Sequence, residues 1–300
     1  MCIVCTKEYD ENTTELLCCE NVTEVPLLPN LKELHCNNSQ ITEIPILPNL
    51  EKLDCSYTKI TEIPILPELK IVDCRNTQIT EIPILPNLEK LYCYNSQITE
   101  IPILPNLEKL DCSYTKIKKI PILPELKIVD CCNTQITEIP LLSKLEILSC
   151  CETKITQIPI LPNLRHLSCS HTNITKLNIL SELTQLHCNY TQITEIPVLP
   201  KLEYLDCSNT RLTEISILPK LEHLECYNTK IGKIPLLLKL KYLYCFNTPI
   251  TEIPILPNLE YLDCSRTLIT KLPEIKNCRI ESYDCRWLNP NTKLLNKVIK

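Results

Sequence analysis

Apolar positions recur along this chain at a fixed 19-residue spacing. From Leu31, Leu50 and Leu69 through to Leu259, thirteen consecutive units read L-x-x-L-x-C-x-x-[T/S]-x-I-T-x-I-P-x-L-P-x, with no insertion and only scattered departures. Alternation at the head of each unit predicts a short strand, sending Leu53 and Cys55 to one face and Lys52, Asp54 and Ser56 to the other. The second half of each unit carries two prolines and has no room for a helix. It predicts an extended, polyproline-like segment. Self-similarity at a short fixed period predicts a solenoid in which each unit buries its apolar side against its neighbours.

This reading divides the chain into an N-terminal cap and irregular first coil (1–30), thirteen repeats (31–277) and a C-terminal cap (278–300). In the last segment Leu294, Leu295, Val298 and Ile299 predict a short amphipathic helix. Position 16 is aliphatic in twelve of the thirteen units, from Ile46 and Ile65 to Ile255. Facing outward it forms an apolar ridge able to dock another protein or a second copy; tucked between coils it is core, and the core reading is favoured.

Composition sharpens the picture. There is one Gly against 24 Pro and 21 Cys, so left-handed glycine turns are not available and proline is expected to set the bends. A net charge of −5 gives no global field for nucleic acid. No stretch approaches the roughly 18 apolar residues that a spanning helix needs. "MCIVCTKEYDENTT" has neither the basic run nor the apolar core of a signal peptide. The expectation is an intracellular, cytoplasmic protein with reduced cysteines.

The stretch "LEKLDCSYTKI", Leu50 to Ile60, resembles the leucine-rich repeat, with Cys at the third leucine and Thr at the asparagine position. The "IPILP" that follows resembles the short outer segment of bacterial effector-type repeats. The Ile-, Asn-, Lys- and Cys-rich style also resembles leucine-rich-repeat proteins of giant, mimivirus-like viruses. The likeness covers about residues 17 to 277. It implies an α/β-type fold that is in practice nearly all-β: a right-handed, gently curved solenoid with a parallel inner sheet. A viral origin would imply a partner drawn from the host and a place in host cytoplasm.

Thirteen cysteines, Cys36, Cys55 and so on to Cys264, fall at position six beside the strand leucine. Free cysteine behaves as a small hydrophobe, and zinc needs four converging ligands rather than a row, so these read as packing residues. The Thr or Ser of position nine, Ser39 to Thr267, is expected to bond backbone where the chain leaves the strand. The N-terminal thiols are different. Cys2-x2-Cys5 followed by Cys18 and Cys19 offers four candidate metal ligands. The "CIVC" resembles the opening of a RING finger, but the remaining ligand pairs are missing. Cys18 also aligns with the core cysteines if its turn is one residue short. No metal and no cofactor is assigned.

Function is read from the open face of the strands. Position five is largely acidic, and Asp54 with Asp73, and Asp111 with Asp130, stand opposite each other, with Lys52, Lys109 and Arg75 nearby to neutralise them. Residues 49–83 and 106–140 differ at only 3 of 35 positions, which places any precise site outside this copied middle. The candidate site lies further on, where Tyr204, His223, Tyr227, Tyr242, Tyr244, Phe246 and Tyr261 interleave with Asp206, Glu225 and Asp263. Clustered aromatics of this kind resemble interface anchors, although tyrosine also suits cross-strand packing. His166, His171 and His187 come from adjacent strands, yet no carboxylate stands among them and Ser168 has no oxyanion motif. The reading is a non-enzymatic, protein- or peptide-binding scaffold. Two alternatives are a ubiquitin-ligase-like adaptor with an N-terminal zinc knuckle and a self-associating repeat rod.

Overall fold

The computed structural model describes residues 2–275, 277–285 and 297–299. The chain forms two compact units, Met1–Lys154 and Ile155–Lys300. The first holds one helical turn, α1 (Ile3–Thr6), then β1 (Glu15–Leu17), β2 (Glu33–His35), β3 (Lys52–Asp54), β4 (Ile71–Asp73), β5 (Lys90–Tyr92), β6 (Lys109–Asp111), β7 (Ile128–Asp130) and β8 (Ile147–Ser149). The second holds β9 (His166–Ser168), β10 (Gln185–His187), β11 (Tyr204–Asp206), β12 (His223–Glu225), β13 (Tyr242–Tyr244), β14 (Tyr261–Asp263), β15 (Cys278–Glu281) and β16 (Lys297–Ile299).

Within each unit, consecutive strands up to β15 pair in parallel, one strand per coil, with Lys52 opposite Ile71 and Tyr204 opposite His223. Each unit is therefore a parallel β-solenoid with almost no helix. The stacking extends beyond the thirteen exact repeats. β1 pairs with β2 and β15 with β14 at offsets of 18 residues, one short of the repeat (Glu15 with Glu33, Tyr261 with Arg279). β16 runs antiparallel to β15. Val298 and Ile299 thus stand in a strand, whereas Leu294 and Leu295 of the expected helix lie outside the described residues.

One coil shows why these residues close into a solenoid. Leu50, Leu53, Cys55, Ile60, Ile63 and Leu66 are at most 5% exposed. Burial along the outer segment recurs every third residue, Ile60, Ile63, Leu66 and Leu69, which is the period of a polyproline helix. That period decides position 16. Ile65 is two places beyond Ile63 and therefore faces out, 69% exposed, and Ile46, Ile84, Ile103, Ile122 and Leu141 do the same. The favoured core reading of this position is corrected: it is an apolar ridge.

The bends also differ from expectation. Position eight of every repeat adopts a left-handed conformation without glycine, from Asn38 (φ 58°) through Tyr57, Tyr114 and His171 to Arg266 (φ 53°). Seven of these thirteen residues are Asn, the side chain that tolerates this region best. Within each unit the conformation aims the N–H at the next coil; Asn38 N donates to Ser56 O at 3.0 Å and Asn95 N to Ser113 O at 3.0 Å. Left-handed turns are thus built without glycine, on asparagine in seven repeats and on Tyr, Glu, His or Arg in the other six.

Position nine behaves as expected. In all thirteen repeats its hydroxyl donates to the carbonyl of the core cysteine three residues earlier, for example Thr58 to Cys55 at 2.6 Å and Thr115 to Cys112 at 2.6 Å. The core cysteines themselves are fully buried, as packing requires. A further clamp joins coils on the outside, where the Asn49, Asn87 and Asn106 amides donate to the carbonyls of Pro29, Pro67 and Pro86.

Candidate binding surface

In the first unit the register places Asp54 opposite Asp73 and Asp111 opposite Asp130. These carboxylates do not simply face solvent. Asp54 accepts from Ser56 N (3.1 Å) and Ser56 Oγ (2.7 Å), and Asp73 from Arg75 N (3.2 Å). The same turn recurs at Asp111, Asp130, Asp206 and Asp263, so every aspartate of position five closes the end of its own strand. Ser56, expected on the open face, is buried by it, as are Ser113 and Ser208. Arg75 neutralises Asp73 at 2.6 Å, whereas Lys52 turns to Glu33 (3.2 Å) and Lys109 to the Tyr92 ring.

In the second unit the exact register converts sequence columns into stacks of rings. His187 lies 4.7 Å from Tyr204, Tyr204 stacks on His223 at 4.5 Å, His223 meets Tyr244 at 5.4 Å, and Tyr244 meets Tyr261 at 4.9 Å. Tyr227 and Phe246 form a second, nearly parallel stack at 4.3 Å. Ring pairs at these separations attract beyond their buried area. Most of the rings are half-buried, while Tyr242 is exposed.

Glu225 is the polar centre of the patch. Its Oε1 accepts from Tyr204 Oη at 2.6 Å and from His223 Nε2 at 3.0 Å. The bond from His223 holds its carboxyl below the ordinary glutamate range. Burial, reinforced by Glu225, pushes the Tyr204 phenol up. Asp206 is also raised, because its burial outweighs the two bonds from Ser208. All ten predicted site residues thus lie on strands β11 to β14 or on the turns that leave them.

Sequence reasoning missed the edges of this surface. His187, which the sequence groups with His166 and His171, instead extends the aromatic stack, and His171 stacks on Tyr190 at 4.3 Å. Tyr242 donates to Glu260 (3.1 Å), and Arg279 on β15 stands over Tyr261 while pairing with Glu281. The column position of His187 was a usable signal. Arg279 was not, because the period slips by one residue before it.

At the N-terminus the four-cysteine set does not form as a unit. Cys18 N donates to His35 O at 2.8 Å, the bond that Cys36 N makes to Asp54 O, so Cys18 belongs to the repeat column. Only the Cys2, Cys5 and Cys19 thiols converge. Among the described residues no helix is long and apolar enough to cross a membrane.

The family model for leucine-rich repeats (two copies) matches residues 48–87, 86–125, 162–201, 200–239 and 238–277, well over half of the chain. The chain belongs to the leucine-rich-repeat family. Among solved structures, YopM from Yersinia enterocolitica is similar over 89% of this chain and 72% of its own, with 26% identity and a TM-score of 0.71. The functional domain of InlJ from Listeria monocytogenes, which includes a cysteine ladder, is similar at 30% identity with a TM-score of 0.78. That match covers 85% of this chain, which spans 63% of InlJ's. YopM from Yersinia pestis shares the fold at 22% identity, with a TM-score of 0.74 over 90% of this chain and 88% of its own. A search of curated proteins finds no match. The likeness to YopM and internalin proteins places this leucine-rich-repeat protein among the bacterial-effector-like types, whose repeats commonly serve as protein-binding scaffolds.

Proposed function

We propose that this leucine-rich-repeat protein is a non-catalytic scaffold. It binds an extended protein or peptide segment along the open face of strands β11 to β14. The observation that carries the reading is the run of stacked rings from His187 to Tyr261, centred on the doubly bonded Glu225. Rigid aromatic surface beside carboxylates suits a partner that presents basic and apolar side chains in alternation. A cytoplasmic setting, in a host cell if the chain is viral, suits a fold whose core is lined with cysteine thiols. The test is selection from a displayed peptide library, followed by titration of the selected peptide against Tyr242→Ala/Tyr244→Ala/Phe246→Ala. The expected result is a basic consensus whose affinity falls at least tenfold in the folded variant. Equal affinity would move recognition off this face.

A second reading is self-association, favoured by the outward direction of position 16. Isolated exposed aliphatics are ordinary, but a regularly spaced row from Ile46 to Leu141 is a continuous apolar surface. If it joins copies of this chain, sedimentation will show a concentration-dependent mass that is lost when Ile46, Ile65, Ile84 and Ile103 are made glutamine.

A further inference from the structure

The thiols of Cys2, Cys5 and Cys19 lie within 4.8 Å of one another, with Cys5 Sγ 3.5 Å from Cys2 Sγ and 3.4 Å from Cys19 Sγ. Two local structures bring them together. The single turn α1 sets Cys2 and Cys5 three residues apart on one side; it is closed by Thr6 N to Cys2 O (3.2 Å) and Glu8 N to Ile3 O (3.0 Å). The bend after β1, closed by Val22 N to Cys19 O at 3.1 Å, carries Cys19 back to that turn. Cys18 is committed to the repeat column, so this grouping is not part of the packing pattern that explains the other core cysteines.

The chemistry of three sulfurs at this spacing is narrow. A thiophilic d10 ion bonds thiolate at about 2.3 Å, and tetrahedral geometry then needs sulfurs about 3.8 Å apart. The two separations made by Cys5 Sγ reach this with shifts of a few tenths of an ångström, and Cys2 and Cys19 stand within 4.8 Å of each other. Carboxylate-preferring ions such as magnesium and calcium find no oxygen donor set here. The site also differs from a structural four-ligand knuckle, because only three protein ligands converge and one position stays open to solvent or an added ligand. Cys5 is exposed and Cys2 and Cys19 are half-buried, so an ion has a path in.

We propose that Cys2, Cys5 and Cys19 bind one thiophilic d10 cation, zinc(II) or copper(I), through three thiolates. The ion would pin the N-terminal turn to the first coil. Ligation releases the thiol protons and changes no oxidation state.

The test uses the full chain, reduced and stripped of metal, titrated separately with zinc(II) and with copper(I) and read by native mass spectrometry. One ion per chain is expected, and the arm that binds more tightly names the metal. Cobalt(II) should give the intense charge-transfer absorption of thiolate ligation. Cys5→Ser should abolish both signals, whereas Cys132→Ser/Cys151→Ser, at two half-buried cysteines joined by Cys151 N to Cys132 Sγ (3.1 Å) and outside this grouping, should keep them. Circular dichroism checks that Cys5→Ser is folded, as its exposure leads one to expect. Bound metal should also protect Cys2, Cys5 and Cys19 from alkylation together. Failure of both ions to bind, or the same stoichiometry in folded Cys5→Ser, would overturn the proposal.

Discussion

The Tyr204 phenol donates to Glu225 across neighbouring strands at 2.6 Å, joining β11 and β12 through side chains as well as backbone. The same carboxylate holds His223, so one acidic group orients two rings of the aromatic stack. Glu225→Gln keeps the shape and removes the charge. A hydrogen bond to a charged group contributes about 1.5–3 kcal/mol, and the variant should lose roughly that much on urea unfolding at pH 7.

The same pair predicts a pH dependence. Glu225 titrates lower in the folded chain than when unfolded, so its contribution is complete above the unfolded value of about 4.3 and fades as pH falls below it. Wild type should therefore lose more stability than Glu225→Gln between pH 6 and the acid limit of folding, as measured by the urea midpoint. Parallel curves for the two proteins would show that Glu225 is not the group responsible.

Thr115→Val leaves the Cys112 carbonyl without the hydroxyl that reaches it at 2.6 Å from a buried position. The expected loss is about 1–3 kcal/mol, largely recovered in Thr115→Ser, which keeps the donor. Chemical denaturation of the three proteins checks this.

At Asn228 two demands coincide. Its φ is 55°, and its amide links Asn209 (2.9 Å) to Asn247 (2.6 Å) in a ladder of side chains. Asn228→Gly should lose only the ladder, whereas Asn228→Val also forces a β-branched residue into the left-handed region, at an added cost of about 1–3 kcal/mol. Their order in thermal melting is the test.

Neighbouring residues of the outer segment should respond oppositely. Leu85→Ala, at a fully buried site, should cost about 2–5 kcal/mol. Ile84→Gln, at a site 68% exposed, should stay within about 0.5 kcal/mol of wild type in a dilute monomer. A large loss in Ile84→Gln would mean that the ridge is covered in solution.

Sequence alone determined the coil: its length, the single strand in it, the buried leucines and cysteines, and the hydroxyl that seals the strand end. Each of these depends on contacts with an identical neighbour, so a 19-residue period specifies them all at once. It also collected the aromatic patch, because exact register turns a column of letters into a row of touching rings. What it left to the tertiary structure has equally physical causes. "IPIL" offers aliphatic side chains at adjacent positions, and only the three-residue turn of the outer segment decided that Ile65 faces out while Ile63 and Leu66 face in. Asparagine and tyrosine do not announce a left-handed backbone as glycine does, so the turn at position eight appeared only with the bond between coils that demands it. The choice of Glu225 over Asp206 as the centre of the patch is a matter of side-chain reach: the aspartate is held by Ser208, and the longer glutamate reaches Tyr204. Cys2 and Cys19, 17 residues apart, met because α1 and the bend after β1 fold towards each other, a relation that no repeat period encodes.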